Sequence, residues 1–342
     1  MVRVKVRQVD RSDVLEPPTE LAQADLGALA AVDKDELAAM ANENARKKSF
    51  RQRQRFLSSV LVRHGGQLIL IDCGEGTQVS LRKLGWGLKD IGTILLTHFH
   101  ADHVAGLPGL LLTVGNSGRT RNEPMTIVGP RGVQRVVESL RVIAPYLPYP
   151  IVYRELSGKT EEAVEIRSLR LTACLADHDT PCLAYRLSLS RAPAFQPERA
   201  QALGLPVNFW KSLQRGETVQ HEGRTILPEQ VLGPPRPGLA FGFITDSRPT
   251  RNLVEFMTDV DLLICEATYG DPADQHKAIE NKHMTFGETA ALAAAARARQ
   301  LWLTHFTPAM PNPDYFRREA EAIYPTVVIG REHLATTLAF VD

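Results

Sequence analysis

Residues 93–111 read TILLTHFHADHVAGLPGLL, an apolar run that passes directly into a cluster of histidines and one aspartate. The apolar run is typical of a buried β-strand. Alternation along the extended chain puts His98 and His100 on one face, where two imidazole nitrogens can bind one cation. The chain then turns, so that Asp102 and His103 can face a second cation. This stretch predicts an α/β protein whose metal site lies where its strands end.

Four more apolar runs end in a polar residue that can bind or orient a metal ligand. These residues are Asp72 after LILI, His178 after LTACLAD, Asp246 after FGFIT and His305 after LWLT. Because functional residues in α/β proteins gather at strand ends, we expect them to meet the 98–103 cluster. His178 would complete the ligands of the first ion, His305 those of the second, and Asp246 would bridge both. Imidazole and carboxylate ligands without thiolate favour two Zn²⁺ ions over Mn²⁺ or Fe²⁺.

From Phe56 onward, short apolar runs alternate with helical stretches, a pattern typical of an α/β fold. Strands are predicted at LSSVLV, QLILI, TILLT, MTIVG, VEIRSLRLTACLA, LAFGFIT, DLLICEA and QLWLTHF. Helices are predicted at GTQVSLRKLG, GVQRVVESLRVIA and GETAALAAAARA, the last of them capped by Thr285.

Composition and charge exclude several classes of protein. Hydrophobic residues make up 44% of the 342 residues and charged residues 23%, which argues against wholesale disorder. No apolar run approaches the roughly 20 residues that cross a bilayer, and residues 1–13 lack a signal-peptide core, so no membrane partner is expected. With a net charge of +1, any affinity for nucleic acid must come from a local patch. Four scattered cysteines predict free thiols in the cytoplasm.

Several short strings, in a fixed order from about Phe56 to the C-terminus, carry a family resemblance. They are DCGEGTQ at 72–78, THFHADHVAGLPGLL at 97–111, His178 before CLAYRL, TDSRP at 245–249, EAT at 266–268, HMT at 283–285 and LTHF at 303–306. In these strings the sequence resembles the ribonuclease Z branch of the metallo-β-lactamase superfamily. The resemblance implies a four-layer αβ/βα sandwich of two mixed sheets, with a dinuclear zinc site along one edge.

The resemblance also implies a role for each site residue. It places His98, His100 and His178 on one zinc ion and Asp102, His103 and His305 on the other, with Asp246 between them. Asp102 would further act as the general base on the attacking water. His283 would protonate the leaving 3′ oxygen and would be oriented by Glu266. Asp72 would orient a ligand histidine from behind.

The function that this resemblance implies is hydrolysis of a phosphodiester bond by a zinc-dependent endoribonuclease, with 3′ processing of precursor tRNA as the reaction and a homodimer as the assembly. An alternative keeps the metal site but makes the substrate a cyclic nucleotide or another small phosphoester. It is kept because residues 206–210 lack the Gly-Pro pair of the arm that grips tRNA in the family. A third hypothesis, an RNA-binding or scaffold protein with a decayed site, conflicts with the complete set of ligand positions.

The chain is predicted to divide into an N-terminal extension, residues 1–55, and a metallo-β-lactamase-like hydrolase domain, residues 56–342. The extension begins with the alternating stretch VRVKVRQV, which predicts a half-buried or edge strand. Its residues 46–55 carry six Lys and Arg side chains and no acid, so they form either a solvated linker or a patch that contacts phosphates. Residues 190–237 are Pro-rich and polar and predict a surface insertion.

Overall fold

The structure, a computed structural model, describes residues 2–6, 59–310 and 312–340, and for residues 2–6 it describes the backbone only. The basic segment at 46–55 lies outside the described residues. The division of the chain at residue 55 therefore stays a prediction.

The described residues form sixteen strands and ten α-helices. The strands are β1 (Val2–Val6), β2 (Val60–His64), β3 (Gln67–Ile71), β4 (Ile91–Leu95), β5 (Met125–Pro130), β6 (Ile151–Leu156), β7 (Ala163–Ile166), β8 (Leu169–Ala176), β9 (Cys182–Arg191), β10 (Val219–His221), β11 (Arg224–Ile226), β12 (Arg236–Ile244), β13 (Leu262–Glu266), β14 (Leu301–Thr304), β15 (Val328–Ile329) and β16 (Ala335–Leu338). The helices are α1 (Thr77–Lys83), α2 (Ala101–Val104), α3 (Leu107–Asn116), α4 (Val133–Leu140), α5 (Pro197–Ala202), α6 (Val207–Gln214), α7 (Arg251–Phe256), α8 (Gln275–Glu280), α9 (Phe286–Ala295) and α10 (Arg317–Glu321).

Two seven-stranded mixed sheets carry the fold. The first has the order β16-β1-β2-β3-β4-β5-β6, and the second has the order β15-β14-β13-β12-β9-β8-β7. In the first sheet β1 pairs antiparallel with both β16 and β2, and β2 pairs antiparallel with β3. Strands β3 to β6 are parallel to one another. The second sheet repeats this plan, with antiparallel pairing from β7 through β9 to β12 and parallel pairing from β12 to β15.

Three apolar layers separate four layers of secondary structure. The inner layer joins side chains of both sheets, such as Ile69 and Ile71 of β3 with Tyr185 and Phe241 of the second sheet. One outer layer lies between the first sheet and its helices, and the other packs α9 against the second sheet. Parallel strands covered on both faces read as continuous apolar runs, which explains LILI and ILL in the sequence. The four-layer α/β sandwich of two mixed sheets is confirmed.

Most of the predicted strands form, but two predictions needed correction. Residues 164–176 are two antiparallel strands, not one, because Ile166 pairs with Leu169 and Arg167 takes a φ of 57° in the tight turn between them. The alternating N-terminal stretch is not an edge strand. Its strand β1 lies between β2 and β16, since β16 at the far end of the described chain adds to the sheet outside it.

The Pro-rich stretch between β9 and β12 has its own small core. It contains α5, α6 and the two-stranded hairpin of β10 and β11. Its buried apolar side chains come from these elements and their connections: Ala200, Leu205, Leu213, Val219, Ile226 and Val231. In the part of the chain that the structure describes, no helix has both the length and the apolar character that a bilayer span requires.

Candidate metal centre

Seven predicted site residues converge at one edge of the sandwich, where strands of both sheets end. His98 follows β4 of the first sheet, and the short helix α2 after it carries Asp102 and His103. Three loops of the second sheet supply the rest: His178 lies two residues after β8, Asp246 two residues after β12 and His305 directly after β14. Loops from two sheets thus bring together residues that are more than 200 positions apart in the chain.

The first group contains His98, His100, His178 and Asp246, whose ligand-capable atoms all lie within 4.8 Å of one another. Asp246 Oδ2 lies 3.7 Å from His98 Nε2 and 3.8 Å from His178 Nε2. His178 Nε2 lies 3.3 Å from His100 Nδ1. This is the set that the sequence analysis assigns to the first ion.

The second group contains Asp102, His103 and His305, within the same 4.8 Å limit. Asp102 Oδ2 lies 3.4 Å from His103 Nε2 and 3.6 Å from His305 Nε2. The other carboxylate oxygen of Asp246, Oδ1, lies 3.4 Å from His103 Nε2 and 3.2 Å from His305 Nε2. Asp246 therefore presents one oxygen to each group, which is the arrangement expected of a bridging carboxylate.

Asp72 holds two of these histidines from behind. Its fully buried carboxylate accepts hydrogen bonds from His103 Nδ1 at 2.8 Å and from the Thr97 backbone N–H and hydroxyl, each also at 2.8 Å. Because the Thr97 hydroxyl donates to Asp72, its oxygen is left to accept from His98 Nδ1 at 3.2 Å. Both rings are thereby fixed with Nε2 facing the site.

Glu266 holds another pair of histidines on the second sheet. Its carboxylate is fully buried at the end of β13, and its Oε1 lies 3.0 Å from His283 Nδ1. The Thr268 hydroxyl donates to Oε2 at 2.6 Å and lies 3.2 Å from His305 Nδ1. Backbone N–H groups of Ser247 and Met284 donate to the same carboxylate. His283 also forms a further group with Asp246 and His305, whose candidate ligand atoms all lie within 4.8 Å of one another.

Burial and neighbouring charges set the pKa values of the site in opposite directions. Burial, reinforced by His103, lowers the pKa of His98 to about 2. Burial alone would lower the pKa of His305, but the carboxylates of Asp246 and Asp102 outweigh it and raise that pKa to about 8. Burial alone would raise the pKa of Asp246, but the surrounding histidines, with His305 foremost, hold it well below its usual range.

The residues present fit a transition-metal site. His98 Nε2 and His103 Nε2 are buried in the site, and within the described ranges neither has a hydrogen-bond partner. A buried nitrogen without a partner is costly, and a bound cation would satisfy it. The donor set is imidazole and carboxylate, and no cysteine of the described chain belongs to these groups. That composition suits zinc, as the sequence analysis expects, and the assignment of each ligand stays a prediction.

The backbone adopts unusual conformations to place the site. Asp72, Asp246 and His305 follow their strands with positive φ values of 57°, 28° and 56°. Residues held in this sparsely populated region cluster at functional sites. Gly106 is required at the end of the histidine loop, because a Cβ there would lie 2.2 Å from the Gly74 carbonyl oxygen.

This close approach docks the DCGEGTQ loop against the histidine loop. Gly106 N–H donates to the Cys73 carbonyl at 2.8 Å, and Cys73 N–H donates to the His103 carbonyl at 2.7 Å. The 72–78 loop and the histidine loop are therefore in direct contact. The backbone contacts between them fix Asp72 next to the histidines that it orients.

Some functional side chains were not singled out by the sequence analysis. The hydroxyls of Thr97 and Thr268 link a carboxylate to a histidine on each sheet. Their sequence signal is only proximity, since Thr97 precedes His98 and Thr268 lies two positions after Glu266. For Arg248 the sequence leaves phosphate binding and an internal ion pair open, and the structure shows the ion pair, with Glu288.

Comparison with known structures supports the fold. The family model described as the metallo-beta-lactamase superfamily matches residues 53–187. The crystal structure of human tRNase Z, short form, is 22% identical, covers 84% of this chain and 94% of its own, and has a TM-score of 0.58. A diphosphatase from the PhnP family is 16% identical, with 99% of each chain covered and a TM-score of 0.59.

Comparison with curated sequences is more specific. Ribonuclease Z of Clostridium kluyveri is 46% identical over 286 residues, which cover 84% of this chain and 94% of that relative. Ribonuclease Z of Clostridium beijerinckii is 44% identical over 295 residues, again 84% and 94% of the two chains. Identity at this level spans nearly the full length of these relatives. The chain therefore belongs to the ribonuclease Z family of the metallo-β-lactamase superfamily.

Proposed function

We propose that the protein is a zinc-dependent endoribonuclease that cleaves precursor tRNA on the 3′ side. The observation that carries this proposal is the convergence of five histidines and two aspartates into two adjoining groups bridged by Asp246. A phosphodiester is anionic and resists attack by hydroxide, so its hydrolysis needs concentrated positive charge and an aligned nucleophile. Family membership supplies the RNA substrate class.

Two zinc ions per chain are part of the proposal. His98, His100 and His178 would hold one ion, and Asp102, His103 and His305 the other, with Asp246 shared. When bound, such ions act as Lewis acids toward the phosphate and lower the pKa of water. The protein's contribution is to fix the histidine rings through Asp72 and Glu266.

Asp102 is the proposed general base. Its side chain is 39% exposed, whereas the bridging carboxylate of Asp246 is 4% exposed, so Asp102 is the carboxylate that water and substrate can reach. Interactions with the neighbouring His103 and His305 side chains outweigh the effect of burial and hold the pKa of Asp102 well below its usual range, so the group is ionised at neutral pH. It can therefore accept a proton from the attacking water.

His283 is the proposed general acid. Glu266 contacts its Nδ1, so Nε2 is the nitrogen left to face the substrate. In the overall reaction, water adds across the bond between phosphorus and the leaving 3′ oxygen. His283 gives a proton to that oxygen as the bond breaks, leaving a 3′-hydroxyl on the upstream RNA and a 5′-phosphate on the downstream fragment. A ribose alkoxide is a poor leaving group, and protonation offsets this.

The decisive experiment is cleavage of a 3′-extended precursor tRNA, run beside hydrolysis of bis(p-nitrophenyl) phosphate, with and without a chelator. We expect cleavage of the RNA, loss of that cleavage in the chelator, and a fall of at least ~100-fold in kcat for Asp102→Asn. Hydrolysis of the small ester without RNA cleavage would favour the small-phosphodiester alternative. Undiminished RNA cleavage by Asp102→Asn would remove this residue from the mechanism.

The cellular setting and the assembly are also proposals. All four cysteines are buried free thiols, which suits a reducing compartment such as the cytoplasm. The homodimer follows from the family resemblance, and light scattering of the purified protein would test it.

A further inference from the structure

The loop that carries His283 is held at two points. The ring is held through Nδ1 by Glu266, at 3.0 Å. The main chain is held separately, because the carbonyl oxygen of His283 accepts a hydrogen bond from Nη1 of Arg248. The first contact fixes the orientation of the ring, and the second fixes the position of the residue itself.

Arg248 is in turn fixed by a two-pronged ion pair with Glu288. Its Nη1 lies 3.0 Å from Glu288 Oε2, and its Nη2 donates to Oε1. The two side chains are only 16% and 19% exposed. Glu288 also accepts from the Thr285 backbone N–H at 2.9 Å and from Gln275 at 2.6 Å, so the pair is anchored at the first turn of α9. A planar guanidinium that meets a carboxylate with both prongs has little freedom to move.

The backbone of Arg248 belongs to the metal-site loops. It lies two residues after Asp246, and its N–H donates to the carbonyl of Asp177 at 3.0 Å. Asp177 directly precedes His178. Arg248 therefore lies between three parts of the site: Asp246, the loop that carries His178 and the loop that carries His283.

We propose that Arg248 is a positioning residue for His283, and that Glu288 fixes Arg248 in the geometry that this role requires. The inference rests on the proposed function, because it assigns the ion pair to the step in which the 3′ oxygen leaves. Arg248 is not a phosphate ligand, since its two terminal nitrogens are directed to Glu288 and to the carbonyl of His283. Displacing a catalytic group by ~1 Å costs on the order of 100-fold in rate, so a fixed main chain matters at this position.

Two substrates with different leaving groups can distinguish this role from a merely structural one. A 3′ alkoxide needs protonation as it departs, whereas p-nitrophenolate leaves without it. We expect Arg248→Gln to lower kcat for precursor tRNA by ~10- to 100-fold with little change in KM, and to lower kcat for bis(p-nitrophenyl) phosphate by less than ~3-fold. Equal losses on the two substrates would overturn the proposal.

A double-mutant cycle tests whether Arg248 acts through His283. In a His283→Ala background, Arg248→Gln should cause no further loss of RNA cleavage, because the group that it positions is gone. Independent, multiplying losses would overturn the proposal. Arg248→Lys keeps the charge but cannot make all the contacts. Its kcat for RNA cleavage should therefore lie between the values of wild type and Arg248→Gln. The matched control is Arg251→Gln, which breaks the exposed ion pair with Glu255 and should leave both activities unchanged.

A measurement that needs no activity separates this inference from the proposed function. Hydrogen exchange of the amides at 282–286 should be faster in Arg248→Gln and Arg248→Lys than in wild type, with the metal content unchanged. Unchanged exchange in a folded Arg248→Lys protein would overturn the positioning role. If the wild-type protein left precursor tRNA intact, the proposed function would fail, and hydrogen exchange would still decide whether Arg248 holds the His283 loop.

Discussion

Asp72 and Glu266 make the same kind of contacts on the two sheets of the sandwich. Each is a fully buried carboxylate at the end of a strand, and each accepts one hydrogen bond from a histidine and another from a threonine hydroxyl that contacts a second histidine. Asp72 thereby orients two predicted ligands of the first sheet. Glu266 orients one predicted ligand and the proposed acid, His283. The site is supported from both sides by the same arrangement of groups.

Replacing Asp72 by Asn should weaken metal binding. Asn keeps one oxygen for the Thr97 backbone N–H but offers an N–H where the Thr97 hydroxyl and His103 Nδ1 both need an acceptor, so the His103 ring loses its orientation. We expect affinity for zinc to fall by ~10- to 100-fold, measured by competition with a chromophoric chelator. Asp259→Asn, which breaks an exposed pair with Arg297, is the control and should bind zinc like wild type. Unaltered affinity in Asp72→Asn would contradict this role.

Replacing Thr268 by Val should reduce turnover without disturbing the packing, because Val keeps the shape of the side chain and loses only the hydroxyl. The His305 ring then loses its link to Glu266. We expect kcat for RNA cleavage to fall by roughly 10-fold or more, with most of it regained in Thr268→Ser, which keeps the hydroxyl. Equal defects in the Val and Ser variants would indicate that packing, and not the hydrogen bond, is responsible.

Removing the metal should cost both activity and stability. The site gathers buried groups that attract cations, and an ion that binds only the folded state stabilises it by about 2.7 kcal/mol at 100 times its Kd. We expect dialysis against a chelator to abolish RNA cleavage and lower Tm, and stoichiometric Zn²⁺ to restore both. Elemental analysis must accompany the assay. Full activity in protein shown to hold less than one transition-metal ion per chain would refute the metal mechanism.

The Arg248–Glu288 pair predicts a particular dependence of stability on pH. Burial alone would raise the pKa of Glu288, but the hydrogen bonds from Arg248 and Thr285 outweigh it and lower that pKa. A lowered pKa in the folded state adds stability above the unfolded value of about 4.3, and this stability is lost as the pH falls through the folded pKa. Arg248→Gln should therefore be less stable than wild type at pH 7.

The difference at pH 7 should be about 2–3 kcal/mol, below the full cost of breaking a deeply buried pair because both side chains keep some exposure. It should shrink as the pH falls below the unfolded value, because Glu288 then begins to take up a proton in the folded wild-type protein. Urea unfolding at several pH values measures it. A difference that stayed constant from pH 7 to pH 3 would show that the ion pair is not its source.

Much of the fold and of the candidate site could be predicted because the signal is local. Each apolar run marks a strand, and the polar residue just after it marks a strand end, so the convergence of His98, Asp246 and His305 follows from the architecture alone. The start of the helix after Thr285 could also be predicted, because Thr285 and Glu288 form a capping box that spans only four residues.

The remaining features depend on contacts that no local pattern encodes. Arg248 meets a carboxylate 40 positions away, and nothing in TDSRP distinguishes an internal ion pair from a phosphate contact. The link from Thr97 to Asp72 spans 25 positions and exists only because β3 and β4 are neighbours. The position of β1 inside its sheet depends on β16, more than 300 residues later in the chain.

The left-handed backbone at Asp72, Asp246 and His305 has an evolutionary consequence. Each such conformation costs on the order of 1–3 kcal/mol, which the rest of the sandwich has to supply. Glycine adopts this conformation without strain, but at each position it would remove the side chain on which the site depends. Stability and turnover thus place opposing demands on the same three residues. A screen for thermostable variants that did not measure activity would select substitutions at these positions.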